Sequence, residues 1–201
     1  MTRIALFGTS ADPPHQGHQA ILTWLARRFN HVAVWASDNP FKHHQTGLDK
    51  RSRMLELLIS NLPVPHQNVR LHQELSDRHT VVTIERAEQI WPQAELVLVV
   101  GADLVGQLSQ WYRADDILSR VKVLVFPRPG YQIESDQVLA LREKGTDVTI
   151  AHMPELHDVS SSNYRQNEAT SGVPSFIRAY IHQNDLYPCT ANSREKLSIR
   201  R

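Results

Sequence analysis

Six short runs rich in Val, Ile, Leu and Ala recur along the chain: RIALFG (3–8), HVAVWAS (31–37), VRLHQ (69–73), ELVLVV (95–100), KVLVF (122–126) and DVTIAHM (147–153). Each is bounded by polar or turn residues, and several lack the polar alternation of a half-exposed strand, which is the mark of strands covered on both faces. Helical periodicity fills the gaps. Ile21, Leu22, Leu25 and Phe29 follow Gly17; Leu55, Leu58, Ile59 and Leu62 follow Asp49, the expected N-cap; a third pattern runs from Thr80 to Trp91 and stops at Pro92. This alternation predicts an α/β fold, a doubly wound, mostly parallel sheet with helices on both faces. Ligands of such sheets sit beyond the carboxyl ends of the strands, where the strand order reverses.

With 201 residues, 41% of them hydrophobic, the chain can bury one sizeable core. A single domain is expected over residues 1–187, followed by a weakly patterned tail, 188–201, that ends in basic residues. SDNPFKHHQTG and FPRPGYQ have the Pro, Gly and polar content of loops. Lys+Arg at 22 against Asp+Glu at 21 gives no basic field, so neither nucleic acid nor a membrane is an expected partner, and any anionic ligand must be met locally. The only cysteine, Cys189, excludes an intrachain disulfide and a cysteine metal cage, and points to a reducing, cytoplasmic setting. MTRIALFG is too short for a signal peptide, and no later stretch approaches the roughly 20 apolar residues of a membrane span. Self-association is left open.

The run from Leu6 to Ile21, LFGTSADPPHQGHQAI, places His15 and His18 around Gly17 where the first strand gives way to a helix. A glycine-led turn before a helix exposes backbone N–H groups and the positive end of the helix dipole, a phosphate-binding arrangement. It is neither G-x-G-x-x-G nor a Walker A loop, because Gly8 stands alone until Gly17 and no Gly-Lys-Ser/Thr follows. Three readings of the histidines compete: hydrogen-bonded turn or core residues, a metal pair lacking further ligands, or two donors to phosphate oxygens. A second segment, VSSSNYR (159–165), sets three hydroxyls before an arginine at a helix start. Such hydroxyls serve as ordinary caps, or join the arginine in facing an anion.

Taken together, the two segments resemble the G-x-F-x-P-x-H-x-G-H and I-S-S-T-x-I-R signatures of the nucleotidyltransferase superfamily, and within it the nicotinate-nucleotide adenylyltransferases. The first signature matches at Gly8, Asp12, Pro13, His15, Gly17 and His18, the second at Ser160, Ser161 and Arg165. Between them, FKHH resembles the family's loop lysine at Lys42, RSRML its Arg-x-x-Met-Leu at Arg51, and HTVVTIE its Thr-x-x-Thr at Thr80 and Thr83. GAD…QWYRADDIL resembles the segment at Gly101, Asp103, Trp111 and Tyr112, and VPSFIRAYIHQNDLY the closing helix. The departures are Thr9 for a frequent glycine, Ala11 for an aromatic, and Ser162 and Tyr164 for Thr and Ile; they are expected on the cleft wall. His43 and His44 are read as loop surface.

The resemblance implies a Rossmann-like nucleotidyltransferase fold and attack of the nicotinate mononucleotide 5′-phosphate on the α-phosphorus of ATP, with no covalent enzyme intermediate. It implies that His15, His18, Lys42 and Arg165 carry catalysis, and that Gly8, Thr9, Ser10, Gly17, Gly101, Asp103, Ser160 and Ser161 hold ATP. Asp103 would take a ribose hydroxyl, although a helix-capping role reads nearly as well. Thr80, Thr83, Trp111 and Tyr112 would take the mononucleotide, with Trp111 stacked on its ring; Trp24, Trp35 and Trp91 read as core. Mg²⁺ would arrive with ATP and need no protein ligand. Competing readings are a phosphopantetheine adenylyltransferase, a relative preferring the nicotinamide nucleotide, a class I aminoacyl-tRNA synthetase fragment, and a nucleotide sensor without turnover.

Overall fold

The computed structural model describes residues 1–38, 46–153, 159–167 and 172–187. The apolar runs become strands β1 (Arg3–Thr9), β2 (His31–Ala36), β3 (Val69–Leu71), β4 (Glu95–Gly101), β5 (Lys122–Phe126) and β6 (Val148–Ile150). They form one sheet in the order β3-β2-β1-β4-β5-β6, and every neighbouring pair is parallel. The sheet is thus wholly rather than mostly parallel, and its order reverses between β1 and β4. Both edge strands span only three residues, which limits the unpaired backbone offered at the rims.

Alternate residues of each strand feed two separate cores, because side chains leave a strand on opposite faces in turn. On one face Ala5, Phe7, Val32, Val34, Val97 and Val99 meet α1 (Gln16–Ala26), α2 (Leu48–Ser60) and α7 (Ser175–Gln183). On the other, Ile4, Leu6, Ala33, Trp35, Leu98 and Val100 meet α3 (Thr80–Ile90), the 3₁₀ segment Ala102–Gln110, α4 (Ala114–Arg120) and α5 (Ser135–Glu143). Trp35 packs over Gly8, where an added Cβ would come within 2.6 Å of the indole. Trp24 meets Phe126 edge to face, and Trp91 lies against the rings of His31 and His72. The tryptophans expected in the core are packed there.

Helix α2 begins at Leu48 with Gly47 as N-cap, so Asp49 does not hold the capping position that its sequence context suggests. The Asp49 carboxylate folds back instead to within 2.8 Å of where a Gly47 Cβ would sit. The segment Ala102–Gln110 buries Ala102, Val105 and Leu108 at the three-residue spacing of a 3₁₀ helix, whereas α4 and α5 are short and bury only two or three positions each, which leaves little periodicity to read. Among the described residues no helix is long and apolar enough to cross a membrane. The tail 188–201 and the segment carrying Lys42, His43 and His44 lie outside the described residues.

Helix α2 buries a charge on its apolar face. Arg51 is 2% exposed; Nε donates to the Thr46 carbonyl at 3.1 Å, and Nη1 donates to the carbonyls of Ser10 at 3.0 Å and Ser37 at 2.8 Å. Burial pushes the guanidinium below its ordinary pKa, and the nearby Asp12 and Asp38 carboxylates oppose that push. Removing the side chain leaves three inward carbonyls without their donor. Arg51→Met should therefore cost about 3 kcal/mol, lowering the melting temperature by about 10 °C, with Arg51→Lys rescuing little because an ammonium lacks the planar fork. Unchanged melting in Arg51→Met would show that the three carbonyls find other donors.

A second polar cluster lies on the β3 side. His31 Nε2 faces His72 Nε2 at 2.9 Å, and His72 Nδ1 donates to Glu74 at 2.7 Å. Burial, then His72 and Arg70, push the His31 pKa down from 6.5 to about 4. An unfolded chain takes up this proton first as pH falls, so the stabilisation from neutral His31 is complete above pH 6.5 and disappears as pH drops toward 4. Over that window the melting temperature should fall more steeply in the native chain than in His31→Gln; equal slopes would remove His31 as a source of acid sensitivity.

Candidate active site

The β1–α1 turn lies at the carboxyl end of the sheet, beside the place where the strand order reverses. His15 is the N-cap of α1, in extended conformation, and His18 is the third helical residue. The His15 ring turns back so that Nδ1 accepts the Gly17 amide at 3.1 Å, while the His15 amide donates to His18 Nδ1 at 3.1 Å. A Cβ on Gly17 would stand 3.0 Å from the His15 ring, so this glycine makes room for the capping imidazole.

The reciprocal cap fixes the chemistry of both rings. A nitrogen that accepts a backbone N–H carries no proton, so in the neutral ring the hydrogen resides on Nε2. Both histidines thus present Nε2–H as a donor, with ring centroids 3.9 Å apart. His18 Nε2 lies 2.9 Å from Thr9 Oγ1, and donation to that oxygen leaves the Thr9 hydroxyl hydrogen to point elsewhere. Thr9, the departure from glycine, is therefore bonded to one of the two imidazoles.

The second segment reaches the same turn from 148 residues away. Ser160 caps α6 (Ser161–Asn167) by accepting the Asn163 amide at 3.1 Å, in keeping with its sequence context. Ser161 Oγ donates to the Pro13 carbonyl at 2.8 Å, and Arg165 donates to the Asp12 carbonyl. The Asp12–Pro13 peptide is cis, and Asp12 is 1% exposed. Ala11 is not on the cleft wall: it is 1% exposed, at φ 45°, within the core on the α1 face. Tyr164, the departure from Ile, packs edge to face on Tyr187 at 5.9 Å.

Across the switch point stands a second group. Asp103 lies in the first turn of the 3₁₀ segment after β4 and is not its cap; its Oδ2 accepts from Arg128 at 3.0 Å. Trp111 closes that segment, half-buried against the core of the α3 face, and the exposed ring of Tyr112 lies 4.9 Å from His79, the N-cap of α3. Thr80 is the first residue of α3, beside that contact. Thr83 is buried, and its hydroxyl donates to the Leu75 carbonyl at 2.8 Å. The fold therefore brings Tyr112 to the α3 N-terminus, where Thr80 begins the helix, sets Trp111 beside it in the chain, and spends the Thr83 hydroxyl on the framework.

Several residues that build the site carry no role in a reading of the sequence. Arg51 holds the Ser10 carbonyl from beneath; its signals are the Arg-x-x-Met-Leu match, which assigns it no role, and its place on the face carrying Met54, Leu55 and Leu58. Arg128 and His79 have no such signal, being single polar residues in loop-like context. Lys42 lies outside the described residues. No group of three or more His, Cys, Asp or Glu that could hold a metal occurs among the described residues.

Comparison with known proteins bears on the same architecture. Residues 6–167 match the family model described as cytidylyltransferase-like. A Synechocystis sp. protein named "Probable nicotinate-nucleotide adenylyltransferase" is 41% identical over 197 residues, covering 92% of this chain and 98% of its own length. The nicotinate-nucleotide adenylyltransferase of Bacillus subtilis is 27% identical over 198 residues, covering 93% and 99%. The fold is shared with the Plasmodium falciparum nicotinic acid mononucleotide adenylyltransferase complexed with NaAD, at a TM-score of 0.80 and 17% identity, covering 93% of this chain and 98% of that one. Two histidines locked into a helix cap, an arginine and serine brought to their turn, and relatedness over nearly the whole length agree: the chain belongs to the nicotinate-nucleotide adenylyltransferase family, within the cytidylyltransferase-like proteins.

Proposed function

We propose that this protein transfers the adenylyl group of ATP to nicotinate mononucleotide, forming nicotinate adenine dinucleotide and releasing pyrophosphate, a step of NAD biosynthesis. What carries the reading is the pair of imidazoles whose Nδ1 atoms are engaged by backbone amides, which makes Nε2–H the donor of each ring beside the turn that Arg165 and Ser161 also reach. The attacking 5′-phosphate is already an anionic nucleophile, so the protein's task is to align it with the α-phosphorus and meet the charge that develops there.

His18 and His15 donate to the ATP phosphates, His18 to the α-phosphate, from the first turn of α1 where the helix dipole adds to their effect. Arg165 takes the β and γ phosphates that leave; Ser161, whose hydroxyl hydrogen is spent on the Pro13 carbonyl, fixes the start of their helix on the phosphate turn, and Ser160 caps that helix. Lys42, in the stretch of sequence that follows β2, joins Arg165. Gly8, Thr9, Ser10 and Gly17 line the phosphate turn; Gly101 and Asp103 take the ATP ribose. Trp111 stacks on the pyridine ring, with Tyr112 beside it, and the first amides of α3 at Thr80 receive the nicotinate carboxylate. Thr83 contributes by fixing that helix start on Leu75. Mg²⁺ would enter with ATP and offset phosphate charge, with no side chain of this chain assigned to hold it. The reaction takes place in the cytoplasm, in keeping with the single cysteine.

Replacing His18 by Ala should lower kcat by about 10²-fold or more, since a preorganised donor to developing charge is removed. The same change deletes half of the reciprocal cap, so the melting temperature should also fall by a few degrees, matching about 1 kcal/mol. A kcat within about tenfold of the native value would reject the phosphate-donor role. Parallel assays with the acid and amide mononucleotides test the pyridine site: kcat/KM should favour nicotinate, and equality or a preference for the amide would reject the carboxylate at the α3 N-terminus.

A further inference from the structure

Trp35 buries its indole on the α3 face of the sheet and is 5% exposed, yet its nitrogen is not spent there. Its Cα pairs with that of Gly8, and the ring leans from β2 across β1, in the direction of β4. Gly8 follows Ile4 and Leu6 on that face, and the indole fills the place its side chain would take. A Cβ on Gly8 would stand 2.6 Å from Cε2 and Cζ2 and 2.7 Å from Nε1. The edge of the ring laid over Gly8 is therefore the one that carries the N–H.

An indole N–H is a donor only, and a buried one usually finds an acceptor. Trp24 Nε1 does so, donating to the His152 carbonyl at 3.0 Å. Trp35 Nε1 donates to no group among the described residues, and it is not sealed either: the sealed, unpartnered side-chain nitrogens among them are Arg120 Nη1 and Arg178 Nε. The small exposed part of Trp35 thus includes its nitrogen, beside the carboxyl end of β1 where the strand order reverses.

The two faces of β1 end on different groups. Thr9, on the α1 face, is bonded to His18, which donates to the α-phosphate in the proposed reaction, and the phosphates that leave lie toward Arg165 at the Asp12 turn. In-line displacement sets the attacking oxygen opposite the leaving group. The nucleophile therefore comes from the α3 face, over Gly8, the face on which Thr80 and Tyr112 stand.

We propose that Trp35 is a substrate-binding residue whose Nε1–H donates to the 5′-phosphate of nicotinate mononucleotide and turns that phosphate toward the α-phosphorus. A neutral donor suits the place, because it orients an anionic oxygen while drawing less charge from the nucleophile than an arginine or lysine does. The inference rests on the adenylyl-transfer reading and adds to it the group that holds the attacking phosphate.

Heteronuclear NMR of the nitrogen-labelled full chain tests this through the indole N–H resonances. Trp35→Phe identifies the Trp35 resonance, and Trp24→Phe, Trp91→Phe and Trp111→Phe identify it by elimination should the first variant fail to fold. Nicotinate mononucleotide should move the Trp35 indole proton downfield, while nicotinate riboside, which lacks the phosphate, leaves it in place. An unmoved Trp35 proton in saturating mononucleotide, or an equal displacement by the riboside, would overturn the proposal. In steady-state kinetics Trp35→Phe should raise KM for the mononucleotide about tenfold, the scale of one hydrogen bond to a charged group, and leave KM for ATP within about twofold. A native KM for the mononucleotide, or equal rises in both, would also overturn it. The two levels separate in the native chain: failure to form the dinucleotide removes the adenylyl-transfer reading, whereas native turnover with an unmoved Trp35 resonance removes the role of Trp35 alone.

Discussion

One guanidinium, that of Arg51, joins three stretches that the chain keeps far apart. Its donors meet Ser10 in the turn after β1, Ser37 at the end of β2 and Thr46 at the start of the approach to α2. The main-chain carbonyls of turns face inward only if something there donates to them, and the apolar side chains of α2 cannot. With Arg51 in place, the turn that carries Thr9, Asp12, His15 and His18 is held from below by a charged fork and from the side by Ser161 and Arg165. The position of the two imidazoles is therefore fixed by contacts from α2 and α6 as well as by their own helix.

That rigidity suits the chemistry. In the proposed reaction the phosphate nucleophile needs little activation, so alignment and donors aimed at the charge as it forms are the protein's main contribution. Rings whose protonated nitrogen is dictated by a backbone amide need no tautomer change when substrate arrives, and in the proposed reaction His18 Nε2–H exchanges the Thr9 hydroxyl for a phosphate oxygen. The all-parallel order with its reversal between β1 and β4 provides the space, by setting the phosphate turn and the Asp103–Trp111 segment on adjoining strands.

Most of this is legible in the sequence where the signal is local. The six apolar runs mark all six strands, because parallel strands covered on both faces are continuous in their hydrophobicity. His15, His18, Ser161 and Arg165 stand out by residue type and spacing, and the fold brings them to one turn. Contacts between distant segments leave no such trace. Asp12 and Arg51 are visible only as motif matches, and Tyr187 as part of a closing helix; their joint occupation of one buried place follows from packing. Ala11 belongs on the cleft wall if its motif neighbours are the guide, but its left-handed backbone turns the side chain into the core. The α4 and α5 helices escape a reading by pattern because a helix of nine residues or fewer with two or three apolar contacts has too little periodicity to see.

The reciprocal cap of His15 and His18 has an evolutionary side. Serine or aspartate at position 15 would cap α1 at least as well as an imidazole does, and alanine in place of Gly17 would favour the helix. Selection for stability alone would therefore erode this turn, since each of those changes removes or displaces a ring that the proposed reaction turns toward the phosphates. On the proposed reaction, the first turn of α1 trades an optimal helix start for donors, because the same atoms that end the backbone's search for partners also set which ring nitrogens carry hydrogen.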